Sequence, residues 1–118
     1  MILIDTSVWV DHLRHGNARL GQLLLDGEAT IHPFIVGELA CGYLTKRSEI
    51  LSLLEALPSL EVAQDDEVLR LIESRRLFGC GLGWVDVHLL TSAVLAQLPI
   101  WSLDKALMRS ASTMGLSS

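Results

Sequence analysis

The chain has 118 residues, enough for one domain to bury a core without disulfide or metal staples, and this length excludes two-domain schemes. Half of it is apolar, 19% is charged and the mean hydropathy is +0.42, which excludes a disordered tail and predicts an apolar surface that meets a partner. Fourteen acids against nine bases give a formal charge of -5, so the protein is not held on nucleic acid by net charge, and any such contact must be local.

Met1 to Ile4 is an apolar run ending at an acid, which predicts a buried parallel strand that delivers Asp5 to its carboxyl end. Thr6 or Ser7 is placed to cap a helix through about Arg14, and Gly16-Asn17 separates it from a second helix, Ala18 to Leu25, closed by Gly27. Ala29 to His32 reads as a second strand. Pro33 then opens a helix carrying Phe34, Ile35, Glu38, Leu39 and Tyr43, weakened by Gly37 and Gly42. A helix from Arg47 to Ala56 stops before Pro58, and Leu60 to Ala63 reads as a third strand.

Asp65 is expected to cap a helix to about Leu77, with Val68, Leu69, Leu71 and Ile72 on its apolar side. Gly79 to Gly83 is a glycine-rich loop. Trp84 to Gln97 is apolar on nearly all sides and predicts a buried helix, ended by Pro99. Ile100 to Leu103 is a fourth strand, Asp104 caps a last helix to about Met114, and Gly115-Leu116 opens a fifth strand cut short by the end of the sequence. Strands alternating with helices predict an α/β layered fold with a parallel sheet, whose sites lie beyond the carboxyl ends of the strands.

The longest stretch without Asp, Glu, Lys or Arg, Val87 to Leu103, includes His88, Gln97 and Pro99 and is shorter than a bilayer span. Asp5 follows at once on the apolar start, which does not match a secretory signal. A soluble, cytoplasmic protein with no membrane contact is expected. Cys41 and Cys80 lack metal-ligand spacing and read as reduced thiols packed as small hydrophobes.

A parallel sheet would set Asp5 and Asp104 on one rim. Glu38 follows the second strand, and Asp86 stands near the start of the apolar helix, so four acids from distant places converge. Glu38 and Asp86 have strongly apolar neighbours, where an unpaired carboxylate is costly. Few bases lie near them in sequence, so a divalent cation is the economical compensator, and oxygen-only ligands favour Mg²⁺ or Mn²⁺ over zinc. The plain reading of Asp5 and Asp104 is a helix cap. Asp11, Glu49, Glu55, Glu61, Asp65, Asp66, Glu67 and Glu73 read as surface acids.

Four segments carry a resemblance: Ile4-Asp5-Thr6-Ser7-Val8-Trp9, Ile35-Val36-Gly37-Glu38-Leu39, Gly83-Trp84-Val85-Asp86-Val87-His88-Leu89-Leu90 and Trp101-Ser102-Leu103-Asp104-Lys105. Together, in order and at matching intervals, they resemble the PIN-domain family, and within it the VapC-type ribonuclease toxins of prokaryotic toxin-antitoxin pairs. The resemblance implies a three-layer α/β/α fold with a short parallel sheet of four to five strands. It implies that Asp5, Glu38, Asp86 and Asp104 hold one or two Mg²⁺ or Mn²⁺ ions and that Ser7 helps orient an acid or a water. It further implies cleavage of single-stranded or looped RNA, a homodimer, and a small VapB-type antitoxin whose tail presents Arg or Lys to the acidic groove. Hydrolysis by water leaves a 5′-phosphate and a 3′-hydroxyl.

Phosphate contacts would come from Arg14, Lys46, Arg47, Arg75, Arg76, Lys105 and Arg109, with Arg75-Arg76 the best pair to line an RNA path. Any one of them also reads as a solvated charge. His12, His15 and His88 are undecided between an RNA contact and none. Trp9, Trp84 and Trp101 are able to stack on bases, but their neighbours favour core packing. A haloacid-dehalogenase-like site would need an acid where Ser7 stands. A receiver domain would need a phosphoacceptor after the third strand, and the glycine loop follows a helix, unlike a dinucleotide-binding turn. The remaining alternative is a PIN-like RNA-binding or scaffold protein without cleavage.

Overall fold

The computed structural model describes all residues, 1–118. Three short parallel strands, β1 (Ile2–Ile4), β2 (Ala29–Thr30) and β3 (Ile100–Trp101), form a sheet in the order β2-β1-β3. Ile2 stands opposite Ala29, and Leu3 opposite both Thr30 and Ile100. Successive strand side chains point to opposite faces, and Leu3 and Ile4 are both 0% exposed, so both faces of the central strand are covered by helices.

Seven helices do the covering: α1 (Thr6–His15), α2 (Ala18–Leu25), α3 (Pro33–Cys41), α4 (Arg47–Glu55), α5 (Asp65–Arg75), α6 (Trp84–Ala96) and α7 (Lys105–Thr113). Helix α1 packs on α2 and α3, α3 on α4, α5 on α6, and α7 on β3. One apolar cluster, including Leu3, Val8, Leu20, Ile35, Leu89, Leu90, Ile100 and Leu107, joins the sheet to its helices. Burial of that cluster, at about 25 cal/mol per Å², is the main force holding strands of two or three residues in place. No helix is long and apolar enough to cross a membrane.

The sheet is narrower than the four to five strands expected. The predicted third strand at Leu60 to Ala63 is reduced to a single parallel bridge between Ser59 and Ile31. The chain pairs with Ile31 only through Pro58 O and Leu60 N, and Glu61 O then accepts from Ser92 Oγ at 2.8 Å, drawing the backbone off the ladder. At the other edge Ile100 bridges Ser117, so the carboxyl-terminal segment does pair, for one residue.

Several side chains depart from their expected places. Asp5, and neither Thr6 nor Ser7, is the N-cap of α1, and Gln64, held by the Glu67 carboxylate at 2.9 Å, precedes α5 in place of Asp65. Helix α3 ends at Cys41 with Gly42 as cap, so Tyr43 lies beyond it and is fully exposed. Leu69 is exposed on the outer side of α5. Cys41 and Cys80 are free thiols on the surface, because one ends α3 and the other stands in the glycine loop, and neither faces the core.

Candidate active site

The carboxyl ends of β1 and β3 lie side by side. The chain runs from β1 outward to β2 and returns past β1 to β3, and the crevice beyond such a reversal is where open α/β sheets form sites. Asp5 stands at the end of β1 as the buried N-cap of α1. Ser102 follows the end of β3, and Asp104, two residues on, caps α7 by accepting from Leu107 N at 3.0 Å.

Two hydroxyls converge on one oxygen of Asp5. Ser7 Oγ donates to Asp5 Oδ2 at 2.8 Å and Ser102 Oγ donates to the same atom at 2.6 Å. Each hydroxyl has one proton, so with both protons on Asp5 the 3.1 Å approach of the two serine oxygens is contact without a bond. Each serine oxygen accepts from a backbone amide in turn, Ser7 from Leu103 N and Ser102 from Asp104 N, both at 2.9 Å. Backbone amides of the β3–α7 turn thus orient the serines, and the serines orient Asp5.

Asp86 is in the first turn of α6, where Oδ2 accepts from Gly83 N at 2.9 Å. Burial raises its pKa above the ordinary carboxylate value; the Gly83 amide opposes that rise, and the charges of Asp5 and Asp104 add to it. The three aspartates therefore share one field. Glu38 reaches the site from another side: it is exposed on α3, not enclosed by apolar groups as expected, because α3 turns it outward, and its Oε1 accepts from Thr6 Oγ1 at 2.7 Å.

Each of the four carboxylates has one oxygen engaged by a protein donor and the other free of any. None has a basic partner, the ion pairs of the molecule being Met1–Glu28, His15–Asp11, Arg70–Asp66 and His88–Asp65. No three His, Cys, Asp or Glu side chains close around a metal ion by themselves. This donor set fits Mg²⁺ or Mn²⁺, hard ions that take few protein oxygens and complete their shell with water and substrate phosphate.

The bases expected to meet RNA are dispersed. Arg14 lines a small cleft with Thr6, Glu38 and Tyr43, so of the four carboxylates it shares a surface with Glu38. Lys105 follows Asp104 at the start of α7 and is exposed. Arg75 and Arg76 line a separate pocket with Cys80, Ser110 and Thr113, which lies at the far end of α7 from Asp104, roughly 13 Å along the axis. Arg47 is spent on the carbonyls of Ala40 and Gly42.

Sequence reasoning missed Ser102, Thr6 and a buried histidine pair. The one signal for Ser102 was a small polar residue between a strand and a capping acid. His32 caps α3 by accepting from Phe34 N at Nδ1, 2.9 Å, and its Nε2 meets Ser92 Oγ at 3.1 Å. Its burial, with the nearby His88, lowers its pKa to about 4. His88, expected to touch RNA or nothing, is buried inside α6 and donates from Nε2 to Asp65 Oδ1 at 3.3 Å, leaving Nδ1 without a partner. Asp65 is thus an anchor as well as a surface acid. Trp9 and Trp101 are core residues, whereas Trp84 is 45% exposed.

Residues 2–112 match the family model described as PIN domain. The chain is also 47% identical, over 117 residues, to proteins named Ribonuclease VapC32 from Mycobacterium tuberculosis strains CDC 1551 / Oshkosh and ATCC 25618 / H37Rv. Each match covers 98% of this chain and 94% of the relative.

Proposed function

The chain belongs to the PIN-domain family, and from that premise we propose that it is a divalent-metal-dependent endoribonuclease, the toxin of a toxin-antitoxin pair. The observation that carries the reading is the set of four carboxylates, Asp5, Glu38, Asp86 and Asp104, each with one oxygen held by a donor and one left open, with no base paired to any of them. A site that only bound RNA would gain nothing from gathering negative charge where phosphates must come.

Asp5, Asp86 and Asp104 would hold Mg²⁺ or Mn²⁺, with Glu38 on the flank. Such an ion, when bound, activates water as a nucleophile and offsets charge building on the phosphate oxygens. The protein's part is orientation. Ser7 and Ser102 fix Asp5 through Oδ2 and leave Oδ1 without a protein donor, available to an ion. Gly83 does the same for Asp86, and the α7 amide of Leu107 for Asp104. Because α7 begins at Asp104, its positive end faces incoming phosphate. Arg14, which shares a cleft with Glu38, and Lys105, which follows Asp104, are the bases we assign to the strand's backbone.

The reading includes a homodimer, supported by Leu69 and Leu95, each more than half exposed and lining one open groove of α5 and α6 with Leu71 and Val94, and a small antitoxin that places an Arg or Lys among the unpaired acids. Incubation of total cellular RNA with the purified protein tests it. Fragmentation with Mg²⁺ or Mn²⁺, and none with chelator, is the expected result; RNA left intact under every metal condition, with the protein still bound to it, would favour a binding module and defeat the proposal.

A further inference from the structure

Trp84 is the one tryptophan of three that solvent reaches: Trp9 is 3% exposed, Trp101 9% and Trp84 45%. Trp9 is fixed through its indole nitrogen to Ile4 O at 3.1 Å, and Trp101 is capped by Arg19, 4.2 Å from the ring centroid. The Trp84 indole makes no hydrogen bond with the protein. It opens α6, two residues before Asp86.

The ring stands at the end of an aromatic column. Trp84 meets His88 at 4.8 Å and 84° between planes, His88 meets Phe34 at 4.8 Å and 63°, and Phe34 meets His32 at 5.0 Å and 69°. Two inner rings are bonded to their surroundings, His88 to the exposed carboxylate of Asp65 and His32 to the Phe34 amide and Ser92, and Phe34 is packed between them. The column therefore holds an exposed, rigid indole whose outer surface lacks a partner. At about 100° per residue, the Trp84 and Asp86 side chains leave the first turn of α6 about 200° apart, so the indole stands outside the carboxylate crevice and does not enter among the acids.

We infer that Trp84 is a base-stacking platform that seats a nucleobase of the strand outside the carboxylate crevice, at the start of the helix that carries Asp86, and so positions the strand. The inference rests on the ribonuclease reading for its substrate. Stacking on an indole tolerates every base because each has a π face, so this platform supplies affinity and orientation while sequence choice comes from other contacts. A ring already fixed by its neighbours loses little freedom when a base lands on it.

The emission of Trp84 gives a test that does not depend on turnover. Wild type is titrated with a randomised single-stranded RNA octamer and with an abasic octamer of the same phosphate count, in Mg²⁺, while cleavage is followed separately. Quenching by the octamer and not by the abasic strand is expected. Trp84→Phe should keep affinity within a few-fold, and Trp84→Ala should lose about tenfold, seen in KM more than in kcat. Equal quenching by both strands, no quenching, unchanged binding by Trp84→Ala, or an emission shift that follows protein concentration without RNA would each overturn the platform. Cleavage without base-dependent quenching would defeat the platform and spare the nuclease; quenching without cleavage would do the reverse.

Discussion

Ser102 Oγ lies 2.6 Å from Asp5 Oδ2, across 97 positions of sequence. The bond joins the ends of β1 and β3, and because Ser102 also accepts the Asp104 amide, one hydroxyl links two of the acids. Geometry at the crevice is therefore set by the turn after β3 as much as by the acids.

Ser102→Ala removes a donor from Asp5 and leaves the Asp104 amide unpartnered. We expect a loss of about 1–3 kcal/mol in stability, as for a hydrogen bond to a charged group. The divalent ion concentration needed for half-maximal cleavage should rise at the same time. Denaturant unfolding and a metal titration of activity check the two effects.

Asp86 carries charge in a place that resists it. Its folded pKa lies above its unfolded value, so in the window above pH 3.8 the unfolded state binds fewer protons and stability falls as pH rises. Asp86→Asn keeps an oxygen for the Gly83 amide and lacks the charge. In chelator at neutral pH it should melt higher than wild type. Wild type should gain stability on adding Mg²⁺ or Mn²⁺, and Asp86→Asn should gain little. Thermal melts in four conditions decide this.

His32 sets an acid limit of its own. Burial, with a smaller contribution from the charge of His88, lowers its pKa from 6.5 to about 4, and Nδ1 already accepts from Phe34 N. The unfolded state thus binds the extra proton between these values, so stability is full above pH 6.5 and falls as pH drops toward 4. The shift corresponds to about 3 kcal/mol at most. His32→Asn, which retains a capping acceptor, should flatten the loss between those pH values in unfolding experiments.

Local signals were legible in the sequence. The apolar run before Asp5, Pro33 at the first position of α3, Asp104 before α7 and Gly83 before α6 all act through neighbours in the chain, and the helices they open stand where expected. Asp86 stood out because charge beside apolar residues is anomalous in any fold, and Asp5 and Asp104 because each follows a strand; Glu38 carried the same apolar signal, although its neighbours do not enclose it. Long-range terms were not legible. The third strand fails because Glu61 O bonds Ser92 on α6, and Glu38 is exposed because the packing of α3 turns it outward. The roles of Ser102, of the His88–Asp65 contact and of the aromatic column depend on residues far apart in sequence.

The most direct test of the central claim is sequencing of 5′-phosphate RNA ends after total RNA is incubated with wild type or Asp5→Asn, each in Mg²⁺ and in chelator. New 5′-phosphate ends at a few discrete sites, present only with wild type and metal, are predicted. The same ends from Asp5→Asn or in chelator, or products bearing 5′-hydroxyls in their place, would contradict hydrolysis by a carboxylate-held metal site.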